Sequence, residues 1–560
     1  MLGPMAPKDP TEKRKGFYVL IDKKVGGMPQ DDGSSRHPIF LDDGRLVTFA
    51  RMVGGISDEY MLSLLETADG FKVLVHSIGV AVTTENPEDE VNFQFNFRRS
   101  DATGGSSHEF HIKGDGVEQL IVMNDLQWKK GDNRPGEFLF QMKSIHDLAT
   151  VTIKLYLNDG FDAPDNDPDP AVDLDSQAYK AMIARSFLSA GNNYRIKKVL
   201  EKSRKGEPVT IAFLGGSITQ GAGAIPIQDQ CYSRQTIEAF RQHYGCGDNV
   251  RYVKAGVGGT PSETGIMRYD RDIDRYGTTP PDLVVVEFAV NDSSDELEGG
   301  CYESLIGKIL DQPQKPAVIM LFAVFANDWN LKDRLAPIGW RYQLPMVNLL
   351  EAVSPEFAKP AGQRVLTKRQ YFYDQYHPSN LGHRIMADSL LYLLDRLDQE
   401  QLSPEFDYQV QPVYTDALRT IRLMDRKDVR EDVKLSIGSF TDTDPDLQSV
   451  PFDDCFSNTP EFPYNWMQDG KGNEPFTLNL TCKALLLEFK DTSREDFGNA
   501  YVSIDGSEPR LIDPREAGWT HCHTTILFME ECSRPHHIEI RMADEAAGKH
   551  FTILGFGIVD

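Results

Sequence analysis

The sequence predicts an α/β centre, a parallel sheet wrapped by helices, with an N-terminal and a C-terminal β-sandwich domain flanking it. Three observations predict this. The middle of the chain alternates short runs that are apolar throughout with amphipathic runs, the pattern of strands buried on both faces and helices packed over them. Both flanks carry β-branched and aromatic runs that alternate apolar with polar, split by Gly, Asp and Asn, as antiparallel sheets do. Finally, 560 residues exceed what one hydrophobic core organises, so two or three domains are expected.

Residues 1–160 read as the first sandwich. Its strand candidates are YVLID, LVTFARMV, FKVLVHSIGVAVTT, VNFQFNFRRS, EFHIKG, LIVMND and ATVTIKLYL. Residues 161–185 read as a linker, because Pro and Asp dominate NDGFDAPDNDPDPAVDLDSQ. Asp165, Asp167 and Asp169 suggest a calcium loop. However, Pro170 stands where such a loop needs its turn glycine, and Ser176 where it needs a bidentate glutamate. A solvated acidic linker is the expectation.

Residues 186–402 carry the α/β rhythm. YRIKKVLEKSRKG is helical, VTIAFL a strand, SRQTIEAFRQHYG a helix, and VRYVKAG, DLVVVEFAV and PAVIMLFAVF strands. NLGHRIMADSLLYLLDRL is the closing helix. Residues 403–560 return to strands in DVKLSIGSF, FTLNLTCKALLLEFKD, AYVSIDG, TTILFMEE, HHIEIRMA and HFTILGFGIVD.

Composition narrows the function. A net charge of −26 repels phosphate backbones and anionic headgroups, so neither nucleic acid nor a membrane is expected as a partner. No run is long enough to cross a bilayer, and MLGPMAPKDPTEKRKGF lacks the apolar core of a signal peptide. Seven scattered cysteines, with no CxxC pair, fit reduced thiols. The expected location is cytoplasmic.

In open parallel sheets, ligands sit beyond the carboxyl ends of the strands. The run TIAFLGGSITQGAGA places Ser217 there, just past the first strand. A serine beside glycines serves a turn as readily as it attacks an acyl carbon, so other residues must decide. Acyl transfer needs a nucleophile, a base, an acid that orients the base, and donors for the oxyanion. Candidates follow at strand ends and loops: Gly258 and Gly259 after YVKAGV, Asn291 after LVVVEFAV, and Asp374 and His377 in YFYDQYHPSNLGH.

Taken in this order, LGGSITQG, KAGVGGT, FAVND and DQYHP resemble the conserved blocks of the SGNH hydrolases, GDSL-type esterases with a flavodoxin-like sheet. The resemblance covers the central region only. It implies Ser217 as nucleophile, His377 as general base and Asp374 as the acid that orients it. It also implies an oxyanion hole from the Ser217 and Gly259 N–H groups and the Asn291 amide, with no cofactor. Two positions depart from the pattern. Gly216 replaces the aspartate of G-D-S, in the G-G-S-I-T form that resembles carbohydrate-active members, and Val290 replaces the glycine before Asn291. His383 falls inside the last helix and reads as structural.

The C-terminal region is similar to the carbohydrate-binding-module-like sandwiches of carbohydrate acetylesterases. Together these resemblances imply a serine esterase that removes O-acetyl groups from hemicellulose-derived oligosaccharides, mannan or xylan, through an acetyl-enzyme. A lipid esterase or thioesterase of the same superfamily is one alternative, and a non-catalytic glycan-binding protein another. Trp329, Trp466 and Trp519, in loops rich in Asn, Asp, Gly and Pro, are the candidates for stacking on sugar. The C-terminal sandwich is expected to fold back so that Trp466 or Trp519 meets the sugar beside Ser217. No metal is expected: His521 and His523 share a strand face, but the local sequence offers no further ligand.

Overall fold

Six strands form the central sheet, in the order Val250–Gly256, Val209–Gly215, Leu283–Glu287, Ala317–Phe322, Met346–Asn348 and Phe187–Ser189. The computed structural model describes residues 14–27, 30, 32–100, 104–165 and 169–560. The first five strands run parallel, and Phe187–Ser189 closes the edge antiparallel. Counted along the chain, the parallel strands lie in the order 2-1-3-4-5. The direction of winding therefore reverses beside Val209–Gly215, and a crevice opens past its carboxyl end.

Every residue of Leu283–Glu287 and of Ala317–Phe322 is buried. Alternation along Val209–Gly215 explains why. Val209, Ile211 and Phe213 join one core with Ile196, Ile237 and Leu390, whereas Ala212 and Leu214 join another with Ile266, Leu305 and Leu335. Period two on the strand thus feeds two helical layers.

Two four-stranded antiparallel sheets precede this unit. One contains Gly16–Gly26, Leu148–Leu157, Val75–Thr84 and Gln119–Val122; the other contains Ser35–Phe40, Asp132–Met142, Glu90–Arg99 and Gly104–Lys113. They close on a single core that includes Val80, Ile153, Phe93 and Phe138. One strand candidate is corrected. LVTFARMV lies within the helix Arg45–Met52, which buries Leu46, Phe49 and Ala50. That spacing of three and then one is the helical period rather than the strand period.

The linker is also shorter than the sequence suggests. Gln177–Ala184 is a helix whose N-cap Ser176 accepts from the Tyr179 N–H, and Tyr179, Met182 and Ile183 join the central core. Asp167 of the calcium reading lies outside the described residues. Asp169 accepts 2.8 Å hydrogen bonds from Thr367 Oγ1 and Arg369 Nε, so the linker is tied to the central unit.

After residue 402 the chain builds a separate two-stranded ribbon, Ser449–Val450 with Thr459–Pro460, and an antiparallel sheet of eight strands. Its long members, Phe476–Asp491 and His521–Met542, pair with register shifts and enclose a core around Trp466, Phe476 and Phe556. Ala484, Leu486, Ile526 and Val559 share a second core with Ile266 and Met267 of the central unit. The C-terminal sheet is therefore packed on the central unit through a common apolar layer.

Candidate active site

Ser217 is the first residue of the short helix Ser217–Gln220, one glycine beyond the end of Val209–Gly215. As the first N–H of a helix, its amide has no intrahelical acceptor. Gly216 lets the Asn291 side-chain amide approach its backbone closely, where a Cβ would press against that amide.

Asp374 and His377 sit on the loop that enters the last helix. Asp374 Oδ1 accepts from the Tyr376 N–H at 2.8 Å and the His377 N–H at 2.9 Å, which turns the chain back on itself. This turn is why the two residues are three apart, and it lays His377 Nδ1 against Asp374 Oδ2 at 2.9 Å. On the far side of the ring, His377 Nε2 lies 2.9 Å from Ser217 Oγ. Burial pushes the Asp374 carboxyl up, but His377 and the two backbone N–H groups outweigh it and hold the group down to about 2. Asp374 is a carboxylate at any working pH.

His383 is built into the wall. Its Nδ1 accepts from the Tyr232 N–H at 3.2 Å, and its Nε2 donates to the Ala222 carbonyl at 3.0 Å. Burial lowers it to about 4, so it stays neutral.

The candidate oxyanion residues differ in their hydrogen bonding. The Gly258 N–H donates to Gln220 Oε1 at 3.0 Å, whereas among the described residues the Gly259 N–H has no acceptor. Gly259 has φ +72°, a conformation that favours glycine. The Asn291 Oδ1 beside Gly216 also lacks a hydrogen-bond partner. Beneath this surface lie two fully buried carboxyls, Glu287 and Asp292, which burial pushes up to about 8. Glu287 Oε2 accepts from Thr219 Oγ1 of the nucleophile helix at 3.1 Å.

The three tryptophans part company. Trp519 is 45% exposed, stacks on His521, and lays its ring edge over Gly259. Trp466 must be corrected: it is 1% exposed, packed edge-on against Phe476 inside the C-terminal core, with no face to offer a sugar. The same loop composition surrounds both, and only packing distinguishes them. Trp329 is half-buried against both central cores and packs at a tilt on Phe325, which packs edge-on against Tyr376 next to His377.

Several residues at the site are invisible to sequence reasoning. Gln448 Nε2 donates to the Gly258 carbonyl at 2.7 Å while its Oε1 accepts from the Cys522 N–H at 2.9 Å. From the N-terminal sheets, Lys23 Nζ donates to the Phe372 carbonyl at 2.7 Å, and His37 Nε2 meets the Tyr373 hydroxyl at 2.6 Å. Burial lowers Lys23 to about 8 against the pull of Asp374 and Asp169. Thr48 Oγ1 donates to Gln375 Oε1 at 2.8 Å, and Arg45 lies over the Tyr376 ring. The loop that carries Asp374 and His377 is thus held on its outer side by the N-terminal domain. Thr48, Met52, Phe325, Lys368 and Tyr376 line a cavity of about 460 Å³ there. None of these partners is close in sequence, so no local signal could have found them.

Residues 213–385 match the model of the GDSL-like lipase/acylhydrolase family. A solved two-domain esterase (CEX) active on acetylated mannans, co-crystallised with mannopentaose, is 25% identical with a TM-score of 0.56. The match covers 68% of this chain and 98% of that one. The same esterase without the oligosaccharide matches with a TM-score of 0.57 over 68% of this chain and 99% of its own. No curated protein matches the chain in sequence.

Proposed function

Because residues 213–385 are a GDSL-like lipase/acylhydrolase domain and the chain is a carboxylic ester hydrolase, we propose that it deacetylates hemicellulose-derived oligosaccharides, with acetylated mannan the favoured backbone. The observation that carries the reading is the 2.9 Å approach of His377 Nε2 to Ser217 Oγ, backed by the Asp374 carboxylate. The solved esterase active on acetylated mannans supports the choice of backbone. An exposed indole at the rim supports a sugar substrate.

In this reading His377 takes the Ser217 proton as the hydroxyl oxygen attacks the acetyl carbonyl. Asp374 keeps the Nδ1–H tautomer and stabilises the imidazolium. Negative charge on the carbonyl oxygen is met, in this reading, by the Ser217 and Gly259 N–H groups and the Asn291 amide. Collapse breaks the bond to the sugar oxygen, which leaves with the proton from His377. Water then enters, gives its proton to His377, and attacks the acetyl-enzyme. Acetate departs and Ser217 regains its proton. The seven cysteines, all unpaired, fit our reading of a reducing, cytoplasmic setting.

The test is a panel of acetylated manno- and xylo-oligosaccharides read by mass spectrometry, with Ser217→Ala as control. We expect loss of acetyl groups with wild type, a fall on the order of 10⁴-fold or more in Ser217→Ala, and fluorophosphonate labelling of Ser217 alone. Labelling of another serine, or full activity in the variant, sinks the assignment.

A further inference from the structure

The geometry points to a divalent transition-metal site formed by Asp491, His521 and His523, which pins the Trp519 loop beside the oxyanion region. Asp491 ends the strand Phe476–Asp491 and stands opposite His521, the first residue of His521–Met542. His523 stands opposite Phe489. Alternate residues of a strand share a face, so this register brings one carboxylate and two imidazoles to one place. Each offers a ligand atom within 4.8 Å of the other two. The local sequence holds only the histidines; the ladder supplies the third ligand.

The orientations are those of a ligand set. His521 Nδ1 lies 3.0 Å from the Trp519 carbonyl and donates to it, which leaves the lone pair on Nε2. Such a carbonyl partner on the second nitrogen is how ligating imidazoles are held. The fully buried Asp491 carboxylate accepts from the Ala517 N–H at 3.0 Å and the Gly518 N–H at 3.2 Å. Among the described residues His523 Nδ1 is buried with no hydrogen-bond partner, 3.6 Å from Asp491 Oδ2. That separation is too long for an N–H···O bond. It is close to the roughly 3.4 Å between two ligand atoms on a tetrahedral ion with bonds of about 2.0–2.1 Å.

The surroundings suit a cation. Phe489 stacks on His523 and Trp519 on His521, so neither ring is free to turn. Glu488 and Glu516 lie close enough to His523 to add negative charge. The two histidines line a cavity of about 520 Å³ that extends to Gly259 and gives an ion and a water ligand their way in. Two imidazoles and one carboxylate select an ion of the zinc class. Asp491 holds the N–H groups of residues 517 and 518, and His521 holds the carbonyl of 519. An ion on these side chains therefore fixes the backbone on both sides of the indole that covers Gly259.

The inference stands apart from the substrate reading, because metal uptake is measured without turnover. The full chain, free of any affinity tag and stripped with a chelator, is titrated with Co²⁺ and followed by visible absorption and elemental analysis. One equivalent per chain is expected, with the strong bands of low-coordinate Co²⁺. His521→Gln and His523→Gln should each weaken binding by more than about 100-fold, beyond the loss of an outer partner. His523→Gln should keep its circular dichroism and its turnover of nitrophenyl acetate. If a histidine variant fails to fold, Asp491→Asn takes its place. No uptake by wild type, or equal uptake by wild type and the folded variants, overturns the site.

Discussion

Trp519 lies so close over Gly259 that a Cβ built on the glycine would sit 2.5 Å from the indole Cζ2. A residue of the C-terminal region thereby forms one wall beside Gly259 of the central unit. The relationship has two separable consequences. Trp519→Ala should raise KM for acetylated oligosaccharide about 10-fold, while nitrophenyl acetate, which has no sugar to orient, is turned over almost unchanged. Equal loss on both substrates would mean that the indole only supports the fold.

Gly259→Ala should behave differently. At φ +72° a side chain is strained, and here it would also collide with Trp519. The N–H donor shifts, and kcat should fall on the order of 100-fold on both substrates, the usual cost of one oxyanion donor. Retention of full activity on the small ester would remove the Gly259 N–H from the oxyanion hole.

Asp374 allows a test by pH. Its carboxyl is held down to about 2, so it stays ionised wherever the protein is folded. Its titration therefore adds no step to kcat/KM above about pH 4, and a carboxylate step there would contradict the pairing with His377. Asp374→Asn should lower kcat by roughly 10³–10⁴-fold through the wrong tautomer. Full kcat in a folded Asp374→Asn variant would remove Asp374 from the triad.

The N-terminal domain has an expected kinetic effect. Lys23→Met removes the hydrogen bond to the Phe372 carbonyl, and His37→Ala removes the Tyr373 hydroxyl partner. Either change should reduce kcat about 10-fold or more on nitrophenyl acetate and oligosaccharide alike, since a small displacement of His377 affects both. Unchanged kcat in folded variants would leave that domain without a role at the site.

Glu287 sets part of the alkaline stability. Burial raises its folded value to about 8, well above the ordinary carboxylate range of an unfolded chain. The folded state therefore binds the proton more tightly, and stability is lost as pH rises from about 4.5 toward 8. Glu287→Gln should flatten this fall, with a higher Tm than wild type at pH 8–9 and little gain at pH 4.5. Parallel Tm–pH curves for the two proteins would show that Glu287 does not titrate in this range.

Much of this molecule is written locally. An apolar run such as DLVVVEFAV has no polar face to give to water, so it must be an inner strand. Ser217 follows a strand of the same kind, and the Asp374 turn brings His377 onto its own carboxylate within three residues. Those features depend on backbone periodicity and short-range hydrogen bonds, and the sequence by itself determined them. Other outcomes depended on which distant surfaces meet. Trp466 and Trp519 lie in loops of similar composition, yet one fills a core and the other covers Gly259. LVTFARMV is β-branched enough for a strand, but its buried residues fall at helical spacing against the N-terminal core. Lys23 and Gln448 reach the site, and Asp491 joins two histidines, only because sheets pack and strands pair across long stretches of chain. Tertiary structure decided these, because the burial and partners of a side chain are properties of the assembled surfaces and not of its neighbours in sequence.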